Sequence, residues 1–313
     1  MRELLETAQK IRSMEIRGAG RIARAAAAEL RDYAARVVSD DLDDFNEKMR
    51  YAADLLINTR PTAVSLPNAV RWVMRYRGDT VDEARVNIKA LADEFITNSK
   101  NAVRRIGEMG SKRVRDGDTI MTHCNSSAAI SIMATAHAQG KEINVIATES
   151  RPRCQGYLTI KRLDELGINT SFIVDSAVRF FMKEVDLVVM GADAVAVNGS
   201  VINKIGTSQL ALAANEVGTN VIIAAETYKF SPRTILGELV EIEERDSSEV
   251  ISIERLNEFQ NIRVRNPVFD VTPREYIDLI CTEIGTIPPE MAYIIIKDFL
   301  GWGIEEINSN TTK

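Results

Sequence analysis

An α/β architecture, with a helical N-terminal domain followed by a domain built on a mainly parallel β-sheet, follows from three features of this sequence. The run Asp186-Leu-Val-Val-Met190 is continuously apolar, rich in β-branched residues and closed by Gly191, the pattern of a strand buried on both faces. Beyond residue 116, short extended runs alternate with helical ones, an order that calls for right-handed crossovers and parallel pairing. Before it, apolar residues recur only at helical spacing. Together these describe a Rossmann-like second domain, with domains expected at 1–110 and 111–313. A chain of 313 residues with 45% hydrophobic content can bury a large core in that form.

Taken in order, Leu4, Leu5, Ala8 and Ile11 define a first helix, and the alanine-rich run from Ile22 to Val38 a second. Between them lies Arg17-Gly18-Ala19-Gly20. Gly18 to Ala23 has the G-x-G-x-x-A spacing of a dinucleotide-binding turn, but that fingerprint follows a strand, and here a helix precedes it. A glycine-permitted turn whose N–H groups face an anion suits the context better. Arg17, Arg21 and Arg24 share one face of the second helix, either as a solvated basic stripe or as anion ligands. Residues 40–58 read as another helix, ended by Arg60-Pro61, where Arg60 is a surface turn or a phosphate ligand. A helix around Trp72 and a long one from Thr80 to Met109 complete the first domain.

In the second domain the expected strands are Asp118–His123, Ile143–Thr148, Thr170–Val174, Leu187–Met190 and Asn220–Ala225. Helices are expected at Ser126–Gln139, Tyr157–Leu166, Ala177–Met182 and Ser208–Val217. Further on, EIEERDSSEV reads as a charged surface connection and Arg263–Val271 as a late strand. Tyr276–Trp302 reads as mainly helix, broken at Pro288-Pro289.

A net charge of -6 argues against nucleic acid as the main partner. Three cysteines without paired spacing suggest reduced thiols in a cytoplasmic protein. Two histidines and no CxxC give no ligand set for structural zinc, so no metal is expected. The N-terminal residues lack the uncharged core of a signal peptide, and no stretch approaches a membrane span, so no membrane partner is expected.

In parallel sheets the carboxyl ends of the strands converge on one crevice. That edge should gather Cys124, the Arg151–Arg153 loop, Asp193 and Lys229, a coincidence that core packing explains poorly. Asp193, two residues past Gly191, can be partly desolvated there and act as a proton donor. Cys124 precedes Asn125-Ser126-Ser127 and a helix, whose N-terminal dipoles would lower its pKa and make it a base or nucleophile; cysteine is also a common core residue. Adjacent His123 would point to the opposite side of an extended chain, which disfavours a Cys/His pair. Ser126, Ser127, Lys204 and Lys229, with the arginines at 17, 21, 60, 151 and 153, offer donors enough for a doubly anionic ligand such as a sugar bisphosphate.

The motifs RGAGRIARAAA at 17–27, THCNSSAA at 122–129, ESRPRCQG at 149–156 and GADAVAVNGSVINKIGT at 191–207 resemble, in that order, those of the sugar-phosphate isomerases related to translation initiation factor 2B. The likeness runs from about residue 15 to residue 300 and is greatest to archaeal members acting on ribose 1,5-bisphosphate. It implies Cys124 and Asp193 as the catalytic pair. It also implies substrate contacts at Arg17, Gly18, Ala19, Gly20, Arg60, Asn203, Lys204 and Lys229, with Ser126 and Ser127 beside them. Isomerisation to ribulose 1,5-bisphosphate without a cofactor, activation by AMP in nucleotide salvage, and a homo-oligomer built on dimers are further implications. Two sister groups stay open. Methylthioribose-1-phosphate isomerases share the cysteine and aspartate but resemble RGAP where this chain has Gly20. Non-catalytic regulatory subunits of the initiation factor generally lack the pair.

Overall fold

The computed structural model describes residues 1–16, 18–60, 64–236, 240 and 242–301. The chain divides into two compact units, Met1–Ala102 and Val103–Lys313, and the division falls inside a helix that runs on to Gly110.

The described elements of the first unit are helices: α1 (Arg2–Arg12), α2 (Ala19–Arg36), α3 (Leu42–Ile57), α4 (Ser65–Val73) and the start of α5 (Val81–Gly110). In α2, Ala23, Ala26, Ala27, Leu30 and Ala34 form one buried stripe at helical spacing, and the small size of the alanines lets α4 approach closely. Gly18, at φ 87, turns the chain into α2, a backbone state that an L-residue rarely adopts. Asp41 caps α3 by accepting from the Asp44 N–H at 2.9 Å.

The second unit carries a seven-stranded sheet and a three-stranded one. In chain order the elements are β1 (Thr119–Thr122), α6 (Ser127–Ala138), β2 (Asn144–Thr148), α7 (Gly156–Glu165), β3 (Asn169–Ile173) and the short α8 (Val178–Phe181). There follow β4 (Leu187–Gly191), β5 (Ala194–Val195), β6 (Val201–Lys204), α9 (Thr207–Val217), β7 (Asn220–Ala224), β8 (Phe269–Thr272), β9 (Leu279–Thr282) and β10 (Gly285–Ile287). The large sheet has the order β10-β9-β7-β4-β1-β2-β3, parallel except for β10, and the small one the order β5-β6-β8, antiparallel throughout. All five residues of β4 are buried. Leu187 and Val189 face one core with α6, while Val188 and Met190 face another with α9, as the two-residue period of a strand covered on both sides requires.

The expected mixed α/β fold, helical first and mainly parallel afterwards, is the observed one. Two local expectations fail. Within the expected helix Tyr276–Trp302, residues 279–287 instead form the hairpin of β9 and β10, in which buried Ile280, Cys281 and Ile287 serve a sheet edge. The late strand begins only at Phe269, and its partner β6 was not foreseen. Trp302 lies outside the described residues.

Candidate active site

The strand order reverses direction of winding between β1 and β4, which are neighbours although three strands apart in the numbering. At such a switch point the two following loops diverge and leave a crevice at the carboxyl edge. Cys124 stands just beyond β1 and Asp193 just beyond β4, one on each side of it. Lys204, the last residue of β6, belongs to the small sheet and still acts electrostatically on the Cys124 thiol, as do Asp193 and Asp175.

Cys124 is held in the left-handed region at φ 63, a state that costs a non-glycine residue about 1–3 kcal/mol. Two hydrogen bonds oppose that strain. The Cys124 N–H donates to Ser150 Oγ at 2.7 Å, and its carbonyl accepts from Thr159 Oγ1 at 2.7 Å. Ser150 and Arg151 in turn donate their N–H groups to the Asp175 carboxylate at 2.8 and 2.7 Å. The thiol itself donates to Gln155 Oε1 at 3.4 Å.

Burial pushes the Cys124 thiol up to about 11, against the pull of the Asn125 N–H and the Lys204 charge. The lowered thiol pKa expected from the neighbouring helix therefore does not occur. The dipole of α6 is present, but desolvation outweighs it. Lys204 is 8% exposed and its pKa is lowered, first by burial and then by Arg245, while Cys124 and Asp193 pull it back. Among the described residues no carboxylate reaches it within ion-pair distance; its Nζ lies 5.1 Å from the Phe269 ring centroid. Behind the Ser150–Gln155 loop a cavity of about 10 Å³ is lined by Lys204, Arg245, Arg151, Arg153, Glu249 and Asn266, with room for about one water.

Ser126 caps α6, accepting from the Ala129 N–H at 3.2 Å, and packs so closely on Gly191 that a Cβ there would lie 2.4 Å from its Oγ. Ser127 is exposed at the first turn. Asn203 donates to Thr207 Oγ1 at 2.9 Å, which donates to the Lys204 carbonyl at 2.7 Å. Lys229, beyond β7, is buried with Glu226, its Nζ 2.7 Å from Oε2. Burial alone would raise the Glu226 pKa, but the Lys229 charge holds it below its ordinary value. Arg153 pairs with Glu249. Gly18, Ala19, Gly20 and Arg60 lie in the helical unit, the first three at the start of α2 and Arg60 after α3. Arg17 lies outside the described residues. Among the described residues no group of three or more histidine, cysteine, aspartate or glutamate side chains is placed to hold a metal ion. No helix among them is long and apolar enough to cross a membrane.

Sequence reasoning passed over Ser150, Gln155, Asp175 and Asp270. Asp270, on β8, accepts from the N–H groups of Gly206 and Ser208 at 2.7 and 3.1 Å, so a carboxylate already occupies the N-terminus of α9. The signal for Ser150 and Gln155 was their place in ESRPRCQG, whereas Asp175 and Asp270 depend on pairings that no local spacing reveals.

The model of the initiation factor 2 subunit family matches residues 15–289. The ribose 1,5-bisphosphate isomerase of Archaeoglobus fulgidus is 60% identical over 307 residues, 98% of this chain and 96% of that protein. The methylthioribose-1-phosphate isomerase of Acetivibrio thermocellus is 35% identical over 305 residues, 92% of this chain and 89% of that one. Among solved structures, a translation initiation factor eIF-2B of Pyrococcus horikoshii OT3 matches with a TM-score of 0.78 at 32% identity, covering 92% of this chain and 97% of that one. The chain belongs to the initiation factor 2 subunit family.

Proposed function

We propose that this chain is an aldose–ketose isomerase that converts α-D-ribose 1,5-bisphosphate to ribulose 1,5-bisphosphate. The observation that carries this is a thiol, a carboxyl group and a buried lysine that no carboxylate reaches within ion-pair distance among the described residues, all at one switch-point crevice. A cation kept out of water in this way suits a ligand that brings its own negative charge. The 60% identity to a protein named for the bisphosphate, against 35% to one named for the methylthio monophosphate, favours the doubly charged sugar.

A phosphate ester at C1 blocks ordinary ring opening to an aldehyde, so the ring must open another way. Asp193 donates a proton to the ring oxygen as its bond to C1 breaks, which leaves an oxocarbenium-like centre. Cys124, as thiolate, removes the C2 proton and gives an enol that still carries the C1 phosphate. Collapse to the C2 ketone, with a proton returned to C1, yields the ketose; atoms balance without a redox partner. Asn203, Lys204, Lys229 and the first turn of α6 at Ser126 and Ser127 fix the phosphates, and that orientation supplies much of the rate. The glycine turn at Gly18–Gly20, with Arg17 and Arg60, enters through the family resemblance. The same resemblance supports a homo-oligomer built on dimers, a cytoplasmic setting, and activation by AMP in nucleotide salvage. The route as written calls on no metal or nucleotide cofactor.

Phosphorus NMR of purified protein incubated separately with the bisphosphate and with methylthioribose 1-phosphate tests this. Conversion of the bisphosphate alone is expected. Conversion of the monophosphate would move the chain to the sister enzymes. No reaction with either, with or without AMP, would favour a non-catalytic regulatory subunit.

A further inference from the structure

Among the described residues the two sheets of the second unit share no ladder, yet the crevice needs groups from both. Cys124 hangs from the large sheet through β1, and Lys204 from the small one through β6. Between them stands His123, which is 2% exposed and takes no direct part in the proton transfers proposed above. Its Nε2 lies 2.8 Å from the Ile205 carbonyl and its Nδ1 lies 2.6 Å from Thr148 Oγ1. A carbonyl only accepts, so Nε2 carries the proton, and Nδ1 accepts from the Thr148 hydroxyl. The ring thus ties the ends of β1 and β2 to the residue that follows Lys204. It fills its space closely: a Cβ on Gly206 would lie 2.9 Å from its Cε1 and 3.0 Å from Nε2.

We infer that His123 is a positioning residue, a neutral strut that sets the separation between the Cys124 thiol and the Lys204 ammonium across the two sheets. Burial keeps the ring uncharged, with Lys204 adding to that effect and Asp175, whose Oδ1 is 3.8 Å from Nδ1, opposing it. The charges facing the thiol are Lys204 from β6, Asp193 from the turn after β4 and Asp175 from the turn after β3. Of these Lys204 alone favours the thiolate, and it stands on the other sheet, so the thiolate fraction depends on the strut.

The thiolate fraction is read without turnover, as the rate at which iodoacetamide alkylates Cys124 at pH 8.5, followed by mass spectrometry of its peptide. Failure of this proposal is therefore distinguishable from failure of the proposed activity. Glutamine can carry its amide to the Nε2 position, whereas asparagine stops short. The His123→Gln variant should react within about threefold of the native rate, and His123→Asn and His123→Leu about tenfold more slowly, as when a nearby cation retreats. The Lys204→Gln variant should show the same slowing, and the His123→Leu/Lys204→Gln double variant no more than Lys204→Gln alone. Equal rates for the glutamine and asparagine variants would overturn the proposal, and so would additive losses in the double variant. The comparison of the two amides holds even if the leucine variant does not fold.

Discussion

The Cys124 thiol donates its hydrogen to Gln155 Oε1 at 3.4 Å, so the proposed base rests in its protonated form. Burial, which takes the thiol up to about 11, keeps it there at neutral pH. Below that value the thiolate fraction rises about tenfold per pH unit, so turnover limited by this base should climb steeply between pH 6.5 and 9. Initial rates across that range decide it: a flat profile removes Cys124 from the role of base.

Replacement of Cys124 by serine leaves the size and the backbone bonds to Ser150 and Thr159 in place but substitutes a far weaker base. Turnover should fall by about a thousandfold or more, with bisphosphate affinity by calorimetry kept within about threefold. Near-native turnover in this variant would show that the sulfur does no chemistry.

How much of this was legible beforehand varies with distance along the chain. Strand β4 and the place of Asp193 just beyond it followed from an apolar run and a glycine, because burial on both faces leaves a local trace. The hairpin at 279–287 did not, since a short apolar run such as Leu279–Cys281 suits a helix or a strand equally until its neighbour β7 is known. The acidity of Cys124 was misjudged: a helix N-terminus is visible in sequence, whereas the depth of burial that outweighs it is not. The strut at His123 needed a contact with Ile205, 82 residues away.

Lys204 illustrates stability given up for binding. Its pKa is lowered chiefly by burial, and no carboxylate pairs with it among the described residues. Lys204→Met keeps length and the contact with Phe269 while removing the desolvated charge. The variant should gain about 1–2 kcal/mol in unfolding free energy. Bisphosphate affinity should drop about a hundredfold with the loss of a charge-assisted contact. Denaturant unfolding and calorimetry on the same samples test both halves; a destabilised variant that still binds would contradict the assignment.

Asp270 should impose a pH dependence on stability. Burial raises its carboxyl to about 6, despite the N–H groups of Gly206 and Ser208, and its Oδ1 is buried without a hydrogen bond. Between the ordinary aspartate pKa and that value the folded chain binds the proton that the unfolded chain has released. Stability from this group is therefore present in acid and is lost as pH rises through about 6. Asp270→Asn keeps an acceptor for the two N–H groups and has no proton to lose. It should be as stable as the native protein or more so at pH 7, and should flatten the slope of stability between pH 4 and 6. Unfolding midpoints measured across that range test the sign, and a steeper slope in the variant would refute it.

Gly156 is the tightest point in the loop that carries Gln155. It opens α7, and a Cβ there would lie 1.9 Å from the Thr148 carbonyl oxygen and 3.0 Å from both Cα and the carbonyl oxygen of Glu149. All of these are backbone atoms at the end of β2, so nothing flexible can move aside. The Gly156→Ala variant must push α7 off the strand, carrying away Gln155 and the Thr159 hydroxyl that hold Cys124. A loss of about 3–4 kcal/mol in stability is expected, together with reduced turnover in whatever folds. Gly167→Ala is the control. That residue, at φ 74, has open space around its Cβ position, so only backbone strain opposes the change and about 1–2 kcal/mol should be lost, with turnover unaffected. Equal losses at the two glycines would mean that the contact between α7 and β2 does not fix the position of the loop.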